Sequence, residues 1–233
     1  LNEMQRNEEA IQAGRRAIEL LEEISSPELI RAYRDEGRFS FDAKKYEESL
    51  VWYKKALNFV TPDEKEFNNA WDLFNIARCL IKLKKFHEAV ETLKSARALF
   101  KVEKSLLHIT FCDEELTLAY LGLNELENAK AHGRLALDFA MTAEDEVRNY
   151  WASVRFAQVC EANGEYSIAY DYFKSAKSWE VGNSKYTHWP HVFQLELEIA
   201  NCLEGLNKTE EAQEIRRRVG AMSDSLGISP EMP

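Results

Sequence analysis

The apolar residues between Asn69 and Leu83 recur at intervals of three and four and cover more than one face of a helix. A helix with this pattern packs against neighbours on two sides. A short polar turn, Lys84-Lys85, separates this run from a second, amphipathic run that begins at Phe86. The pattern therefore predicts a helical hairpin.

The second run of this hairpin recurs along the chain at an offset of 40 residues. In each copy an aromatic residue or Leu precedes a small residue by three positions, and an Ala follows seven positions later. A fixed period of this length is typical of stacked repeats, in which each unit buries its apolar face against its neighbours. The copies are Tyr46, Ser49 and Ala56; Phe86, Ala89 and Ala96; Leu126, Ala129 and Ala136; and Tyr166, Ala169 and Ala176, with weaker copies at Ala10 and Ala17 and at Ala212 and Val219.

Short polar turns separate the two runs of each copy. Gly and Asn in these turns supply the positive φ that a tight reversal between helices needs. The small residues of the second run, such as Ala89 and Ala96, allow the two helices of a hairpin to approach closely. The turns are Ala43-Lys44-Lys45, Lys84-Lys85, Gly122 to Glu125, Asn163-Gly164-Glu165 and Gly205 to Lys208.

Together these patterns predict eleven helices in one domain, a single array over residues 1–233. A lone helix spans about 3–23, and the last helix spans about 209–226, followed by a loose tail at 227–233. Five hairpins have first helices near 28–43, 66–83, 105–122, 145–162 and 190–205, which places the repeats near 28–61, 66–101, 105–141, 145–180 and 187–226.

The lone helix within residues 1–24 carries the second-helix pattern without a first helix before it. One interpretation is half of a repeat in a fragment of a longer protein, which the missing initiator Met also favours. The other is an independent capping helix, which stacked arrays need for solubility.

The helix–turn–helix unit, its small residues and the aromatic residue that opens the second helix resemble tetratricopeptide repeats. The resemblance covers nearly the whole chain and implies an all-α fold, a right-handed α-solenoid (superhelix) of helical hairpins. The repeat is longer than the usual unit of that family. The family's preferred Gly of the first helix occurs once, as Gly37, and the other copies have Ala77, Thr117, Ala157 and Ala200.

The composition narrows the partners of this chain. Its net charge of −10 argues against binding to nucleic acid or to an anionic membrane, since both need a surplus of Lys and Arg. No signal peptide opens the chain, and no apolar run reaches about 18 residues. Cys79, Cys112, Cys160 and Cys202 fall one per repeat, so we expect small core residues in a reducing, cytoplasmic compartment.

The sequence offers no catalytic or metal-binding constellation. His188 and His191 are the only His cluster, and Pro190 between them is better explained as a first-turn residue of the following helix. The carboxylate runs Asp113-Glu114-Glu115 and Glu144-Asp145-Glu146 are interpreted as acidic helix openings. We therefore expect a protein that is not an enzyme and that uses no cofactor and no metal.

In a stacked array the concave groove is lined mainly by the first helix of each hairpin. Amide side chains there can pair with a peptide backbone, and Arg can bind carboxylates in a forked geometry. Aligning the repeats places on this face Arg31, Arg34 and Arg38; then Trp71, Asn75, Arg78 and Lys82; then Phe111, Glu115 and Leu118; then Trp151, Arg155 and Gln158; and finally Gln194, Glu198 and Asn201. The predicted peptide-binding set is Arg34, Arg38, Trp71, Asn75, Arg78, Phe111, Trp151, Arg155, Gln158 and Asn201.

Each of these residues also has a purely structural interpretation. The aromatic residues Trp71, Phe111 and Trp151 recur at 40-residue spacing and suit packing between repeats as well as pockets for a ligand. The arginines suit ion pairs with Glu or Asp of the next repeat as well as ligand contact. Both alternatives stay open at the level of sequence.

The repeat length and the Lys/Glu-rich style are similar to the peptide-sensing domains of Gram-positive quorum-sensing regulators of transcription. This resemblance implies capture of a peptide or protein segment in the groove, a possible homodimer, and a DNA-binding domain upstream of Leu1. The alternatives are the array of a response-regulator phosphatase-like protein, whose active residue comes from a helical bundle, and a general adaptor for protein–protein interaction.

Overall fold

The structure, a computed structural model, describes residues 3–23, 28–59, 66–143, 145–182 and 189–227, which form eleven helices and no strand. The prediction of an all-helical chain of tandem hairpins is confirmed. The helices are α1 (Glu3–Glu23), α2 (Leu29–Asp42), α3 (Tyr46–Asn58), α4 (Glu66–Lys82), α5 (Phe86–Val102), α6 (Leu106–Gly122), α7 (Leu126–Thr142), α8 (Glu146–Ala162), α9 (Tyr166–Gly182), α10 (Trp189–Gly205) and α11 (Thr209–Leu226).

The helices form two compact units, Leu1–Leu123 and Asn124–Pro233, here called unit 1 and unit 2. In unit 1 each of the helices α1 to α6 packs on the next, and α4 also touches α6. In unit 2 each of the helices α7 to α11 packs on the next. Within each unit, then, neighbours in the sequence are neighbours in space, as stacked hairpins require.

The small residues of the repeat lie at the contacts between helices. The eight small residues of the four strong copies are all buried, with at most 3% of their surface exposed: Ser49, Ala56, Ala89, Ala96, Ala129, Ala136, Ala169 and Ala176. Ser49, the single polar member, donates a hydrogen bond of 2.7 Å from its hydroxyl to the backbone carbonyl of Gly37. The Gly37 backbone in turn packs on the ring of Tyr53, which a Cβ would meet at 3.0 Å. The prediction that these positions set the helix spacing is supported by this burial.

The turns end their helices in a left-handed residue, and only some of these residues are of the predicted types. Asn124, Gly164 and Asn207 have positive φ, as expected for Asn and Gly. Lys44 and Lys84 also have positive φ, at 59° and 58°, and the residue type alone does not predict this. The reason is the capping geometry: the amide of the following residue bonds to the carbonyl five residues back, as in Lys45 to Ser40 and Lys85 to Leu80, both at 2.8 Å.

Gly122 and Gly205 do not supply positive φ to these turns. They are the last residues of α6 and α10, and each faces an aromatic ring of the preceding second helix, Phe86 and Tyr166 respectively. A Cβ at either glycine would overlap that ring. Their role is therefore close approach between helix and ring rather than backbone reversal.

The interpretation of Asp113-Glu114-Glu115 as a helix opening is wrong. These residues lie in the middle of α6, and Asp113 is buried and accepts two hydrogen bonds from Arg97 of α5, at 2.9 and 3.2 Å. The second acidic run fits better, because Asp145 is the N-cap of α8 and accepts from the Arg148 amide at 3.0 Å. Glu144 lies outside the described residues.

The last helix, α11, has the bounds that the sequence predicts. Ala212 and Val219 are buried, and Ile215 packs on the core of unit 2. Its charged face is solvent-facing and paired: Arg216 binds Glu204 and Arg217 binds Glu214. Of the predicted tail, residues 228–233 lie outside the described residues.

We predict opposite effects for Ala at two helical glycines. Gly122→Ala should lower the free energy of unfolding by about 1–3 kcal/mol, because the new methyl group overlaps the Phe86 ring. Gly220→Ala in α11 is the matched control, since no atom lies within 4 Å of its Cβ position. It should raise stability by about 0.5–1 kcal/mol. Urea unfolding of both variants checks this, and equal effects would contradict the close approach.

Candidate functional site: the open faces of the first helices

The first helix of each hairpin is buried on the sides that face its neighbours and keeps one open face. The ten predicted site residues lie on these first helices, six on α2, α4 and α6 in unit 1 and four on α8 and α10 in unit 2. The unit-1 face, as the term is used here, comprises Arg34, Arg38, Trp71, Asn75, Arg78 and Phe111; the unit-2 face comprises Trp151, Arg155, Gln158 and Asn201.

Arg34 has a structural partner. Its guanidinium lies against the carboxylate of Asp72, with Nε at 2.8 Å from Oδ1 and Nη2 at 2.6 Å from Oδ2. Asp72 is fully buried. A buried carboxylate held by a forked guanidinium is costly to separate. Arg34 therefore joins α2 to α4, which is the structural alternative for this arginine.

Arg78 is held differently, by rings rather than by a buried charge. Its guanidinium carbon lies 4.5 Å from the ring centre of Phe41 and 5.9 Å from that of Phe74. The carboxylate of Glu115 lies 3.7 Å from Nε of Arg78, and 38% of the Arg78 side chain is exposed. Ring faces orient the guanidinium while the loose ion pair leaves donors for another acceptor. Arg78 is thus positioned at the junction of α2, α4 and α6.

Arg38 of α2 resembles Arg78, because a ring and loose ion pairs are what hold its guanidinium. Its guanidinium carbon is 4.4 Å from the centre of the Phe39 ring. Asp35 and Asp42 of its own helix approach only to 3.9 and 3.8 Å, and more than half of the side chain is exposed. Exposed pairs of this length contribute little to stability. This side chain can therefore turn toward a ligand at small cost.

Asn75 is less accessible than its place in the sequence suggests. Only 6% of the residue is exposed, and its amide nitrogen donates a hydrogen bond of 2.9 Å to the carbonyl of Trp71, one turn earlier. The prediction of Asn75 as a residue lining an open groove therefore does not match its burial. Any ligand contact by Asn75 would come at the floor of the unit-1 face.

The aromatic residues of unit 1 pack on one another. Trp71 stacks on Phe74 at 5.2 Å between ring centres and meets His108 edge to face at 5.4 Å. Phe111 lies 6.2 Å from Trp71 and 5.6 Å from His108. These contacts join α4 to α6, so the packing interpretation accounts for the position of Trp71 and Phe111. Both residues remain partly exposed and form an apolar border to the unit-1 face.

On the unit-2 face, Trp151 is the most exposed aromatic residue of the predicted set, at 38%. Its ring meets the edges of Tyr150 at 4.9 Å and His191 at 5.5 Å. One turn further along α8, Arg155 donates to the side-chain oxygen of Gln158 at 3.3 Å. No carboxylate holds Arg155 among the salt bridges of the described residues. The face thus combines an open ring with a weakly held cation.

Asn201 and Gln194 of α10 both donate to the carboxylate of Glu198, at 3.2 and 2.7 Å. The Asn201 oxygen accepts from Arg216 of α11 at 2.7 Å, so this amide is engaged on both sides. Glu198 faces Glu161 of α8, and partial burial together with this like charge raises the pKa of Glu161 to about 7. The Glu161 carboxyl group therefore keeps its proton up to about neutral pH.

The buried carboxylate of Glu180 lies next to Tyr150 and His191, the two rings that Trp151 meets. Glu180 of α9 is almost fully buried, accepts a hydrogen bond from the Tyr150 hydroxyl, and lies 3.9 Å from Nδ1 of His191. Burial and this carboxylate raise the pKa of the Tyr150 phenol. One carboxylate thus ties α8, α9 and α10 together. His188, the other member of the predicted His pair, lies outside the described residues.

Sequence reasoning missed Phe41, Glu161 and Glu180. Phe41 follows Arg38 by three residues on the same helical face, so helical spacing could have indicated it. Glu161 and Glu180 lie 37 and 11 residues from the groups they face, Glu198 and His191. No local signal marks such pairs, since they depend on how neighbouring hairpins meet.

Metal-ligating groups and thiols are two kinds of reactive site that the sequence raises. The described residues contain no group of three His, Cys, Asp or Glu side chains that could hold a metal ion. The cysteines are buried, and burial raises the pKa of Cys112 to about 12 and that of Cys160 to about 11, which suits unreactive core thiols. No helix in the described part of the chain is long and apolar enough to cross a membrane.

An open cleft of about 490 Å³ in unit 2 lies away from the predicted residues. It is bordered by α9, α10 and α11, with Val181, Trp189 and Met222 among its apolar residues and Lys177 and Glu196 at a polar edge. None of the ten predicted site residues lines it. The volume of this cleft alone is weaker support for a binding site than the loosely paired arginines of the two faces.

Glu161→Gln should remove a pH dependence of stability. Because its pKa is raised in the folded state, the ionised form is disfavoured there, so the contribution of Glu161 to stability is largest below about pH 4.5 and is lost as pH rises through about 7. The variant should match the wild type in acid and exceed it at about pH 8, in urea unfolding at both pH values. Exposed Glu210→Gln in the same unit is the control. A loss of stability in Glu161→Gln at high pH would contradict the like-charge contact.

Comparisons with known proteins agree with the repeat architecture. Residues 73–96 match the family model of the tetratricopeptide repeat. None of the curated proteins matches the chain in sequence. BtubC from P. vanneervenii has a similar structure, with a TM-score of 0.78 at 11% identity over 100% of this chain and 96% of that one.

Two further solved structures extend this likeness. A Rap regulator of plasmid conjugation genes, in complex with a peptide, has a TM-score of 0.68 at 19% identity over 85% of this chain and 54% of that protein. Aspartyl phosphate phosphatase F from Bacillus subtilis has a TM-score of 0.68 at 20% identity over 85% and 52%. The chain thus spans about half the length of these two proteins. At these identities the likeness establishes the fold: tandem helical hairpins of the tetratricopeptide-repeat type, an α-solenoid architecture.

Proposed function

We propose that this chain binds an extended peptide or protein segment on the open faces of its first helices and does no chemistry itself. The observation that carries the proposal is Arg78. Phe41 and Phe74 orient its guanidinium, and its ion pair with Glu115 is long and partly exposed. A carboxylate of a ligand could take up these donors without breaking a buried pair. Arg34 is left out of the ligand-contacting set, because it holds Asp72.

On the unit-1 face, Arg78 and Arg38 supply charge, Asn75 supplies an amide at the floor, and Trp71 and Phe111 supply an apolar border. Amides and guanidinium groups fit the backbone and the acidic side chains of a peptide. The proposed ligand segment for this face is therefore one with an acidic group and an apolar side chain. An excess of negative charge elsewhere on the protein adds discrimination, because it repels acidic segments from other surfaces.

On the unit-2 face, Trp151, Arg155 and Gln158 are the proposed contacts. The ring is exposed, and the Arg155–Gln158 hydrogen bond is long at 3.3 Å. Asn201 has a smaller part in this proposal than the repeat alignment predicts, since Arg216 and Glu198 already occupy its amide group. The unit-2 face is a second place at which a segment can be held.

The biological role that we propose is the peptide-sensing part of a cytoplasmic bacterial regulator, in the manner of quorum sensing and transcription regulation. The support is the likeness to the Rap regulator, whose structure contains a peptide. A homodimer belongs to the same proposal. The alternative is the repeat array of a phosphatase-like protein, which the likeness to phosphatase F favours. A general adaptor for protein–protein interaction is the third role.

Binding by the two faces is tested with a library of random eight-residue peptides, from which the strongest binder is synthesised and measured by calorimetry. Arg78→Ala should weaken the binding of a peptide held on the unit-1 face, and Arg155→Ala that of a peptide held on the unit-2 face, each by roughly fivefold or more and with reduced salt dependence, because a charge-assisted contact is lost. Asn75→Ala should weaken binding on the unit-1 face too, by about 1–3 kcal/mol at a desolvated site.

The controls are Arg16→Ala and Arg134→Ala, two exposed arginines of α1 and α7 whose ion-pair partners, Glu19 and Asp138, lie on their own helices. Both should bind the peptide as the wild type does. Circular dichroism is needed for Asn75→Ala, since that residue is buried. Undiminished binding in all three site variants would move the site away from the open faces, and the proposal would fail.

A further inference from the structure

Glu36 of α2 is a fully buried carboxylate at a position where each of the four other repeats buries an apolar side chain. Aligning the first helices on Gly37, Ala77, Thr117, Ala157 and Ala200 places Glu36 in register with Ile76, Leu116, Phe156 and Ile199. All four are buried hydrophobic residues, and Glu36 itself has 0% exposure. In the other repeats, the helix that precedes this position is a second helix of a hairpin; for Glu36 it is α1.

The side of α1 that covers Glu36 leaves space for its carboxylate but does not provide hydrogen-bond donors for both of its oxygens. Gly14 lies directly over the carboxylate, and a Cβ there would overlap Oε2. Among the described residues this oxygen has no hydrogen-bond partner. The other oxygen receives only a long contact of 3.4 Å from Nε of Arg15. Arg15 itself is about half exposed and turns its Nη2 to Glu48 of α3.

We propose that α1 is a releasable cap on unit 1, held closed when Glu36 carries a proton and loosened when Glu36 is ionised. The reason is the cost of burying a charge without full compensation. A buried carboxylate with an unpartnered oxygen loses its hydration, and one long contact from a half-exposed guanidinium does not replace it. When α1 leaves, water reaches Glu36 and this cost disappears.

The direction of the pH effect follows from the groups around Glu36. Burial raises the pKa of its carboxyl group; Arg15 and Lys45 act in the opposite direction, and Glu48 adds to the rise. A carboxyl group with a raised pKa in the closed state contributes stability at low pH, and this contribution is lost as pH rises through that pKa. The closed cap is therefore favoured in mild acid.

Among the described side chains, the remaining contacts of α1 lie around Ile18 and Glu22. Ile18 is buried in a small cluster with Leu29, Tyr33 and Ala56, and Leu21 packs against it. The Tyr33 hydroxyl donates to Glu22 at 2.8 Å, and burial together with this carboxylate raises the pKa of Tyr33 to about 12. This contact keeps its proton through the neutral range and does not reverse the effect of Glu36.

The test is hydrogen exchange of the α1 amides at about pH 5 and about pH 8, expressed as protection relative to the unstructured rate at the same pH. In the wild type, α1 protection should be roughly fivefold or more lower at the higher pH. The amides of α5, in the same unit, serve as the internal reference and should change less. Glu36→Gln and Glu36→Leu should abolish the difference and protect α1 at the higher pH as strongly as the wild type is protected at the lower one.

Glu48→Gln is the matched control, since it alters the exposed partner of Arg15 and leaves Glu36 in place; its α1 should keep the pH dependence. A stabilising role for Glu36 would give the opposite change in α1 protection. If Glu36 served as an anchor for Arg15, both Glu36 variants would lower α1 protection at the higher pH. That result, or equal wild-type protection at the two pH values, would overturn the proposal.

Discussion

The close approach of paired helices at small side chains is the constraint on which the rest of this structure depends. Ala89 and Ala96 bury completely at the contacts of α5, and Ala129 and Ala169 do the same at the equivalent positions of α7 and α9. Larger side chains there would force the helices apart, since packed interiors do not absorb added volume. This spacing determines which sides of the first helices are buried and which side stays open.

The open faces explain how an acidic protein uses its arginines. Arg34 and Arg97 form ion pairs with the buried carboxylates of Asp72 and Asp113 and in this way join neighbouring helices. Arg78 packs instead on the rings of Phe41 and Phe74 and keeps its charge near solvent. The distinction is physical: a buried partner makes an arginine structural, whereas a ring face positions it and leaves its donors available. Only the second kind suits a ligand.

Helices and hairpins could be predicted from the sequence because their signals are local. The predicted first helix at 66–83 is Glu66–Lys82 in the structure, and the last helix has the predicted bounds. The left-handed Lys44 and Lys84 could not be predicted, since capping bonds rather than residue preference impose their backbone. The partners of the site residues were also out of reach, because Arg34 meets Asp72 across 38 residues and Asn75 is buried by its neighbours. The binding set itself stays a prediction.

The central claim, that small residues at one register of the second helices fix the hairpin spacing, is tested most directly by substituting that register in three repeats. Ala89→Leu, Ala129→Leu and Ala169→Leu should each lower the free energy of unfolding by about 1–3 kcal/mol in urea titrations. Ala131→Leu, on the exposed side of α7, should change it by less than about 0.5 kcal/mol. Losses at the three buried positions no larger than that of Ala131→Leu would contradict the account.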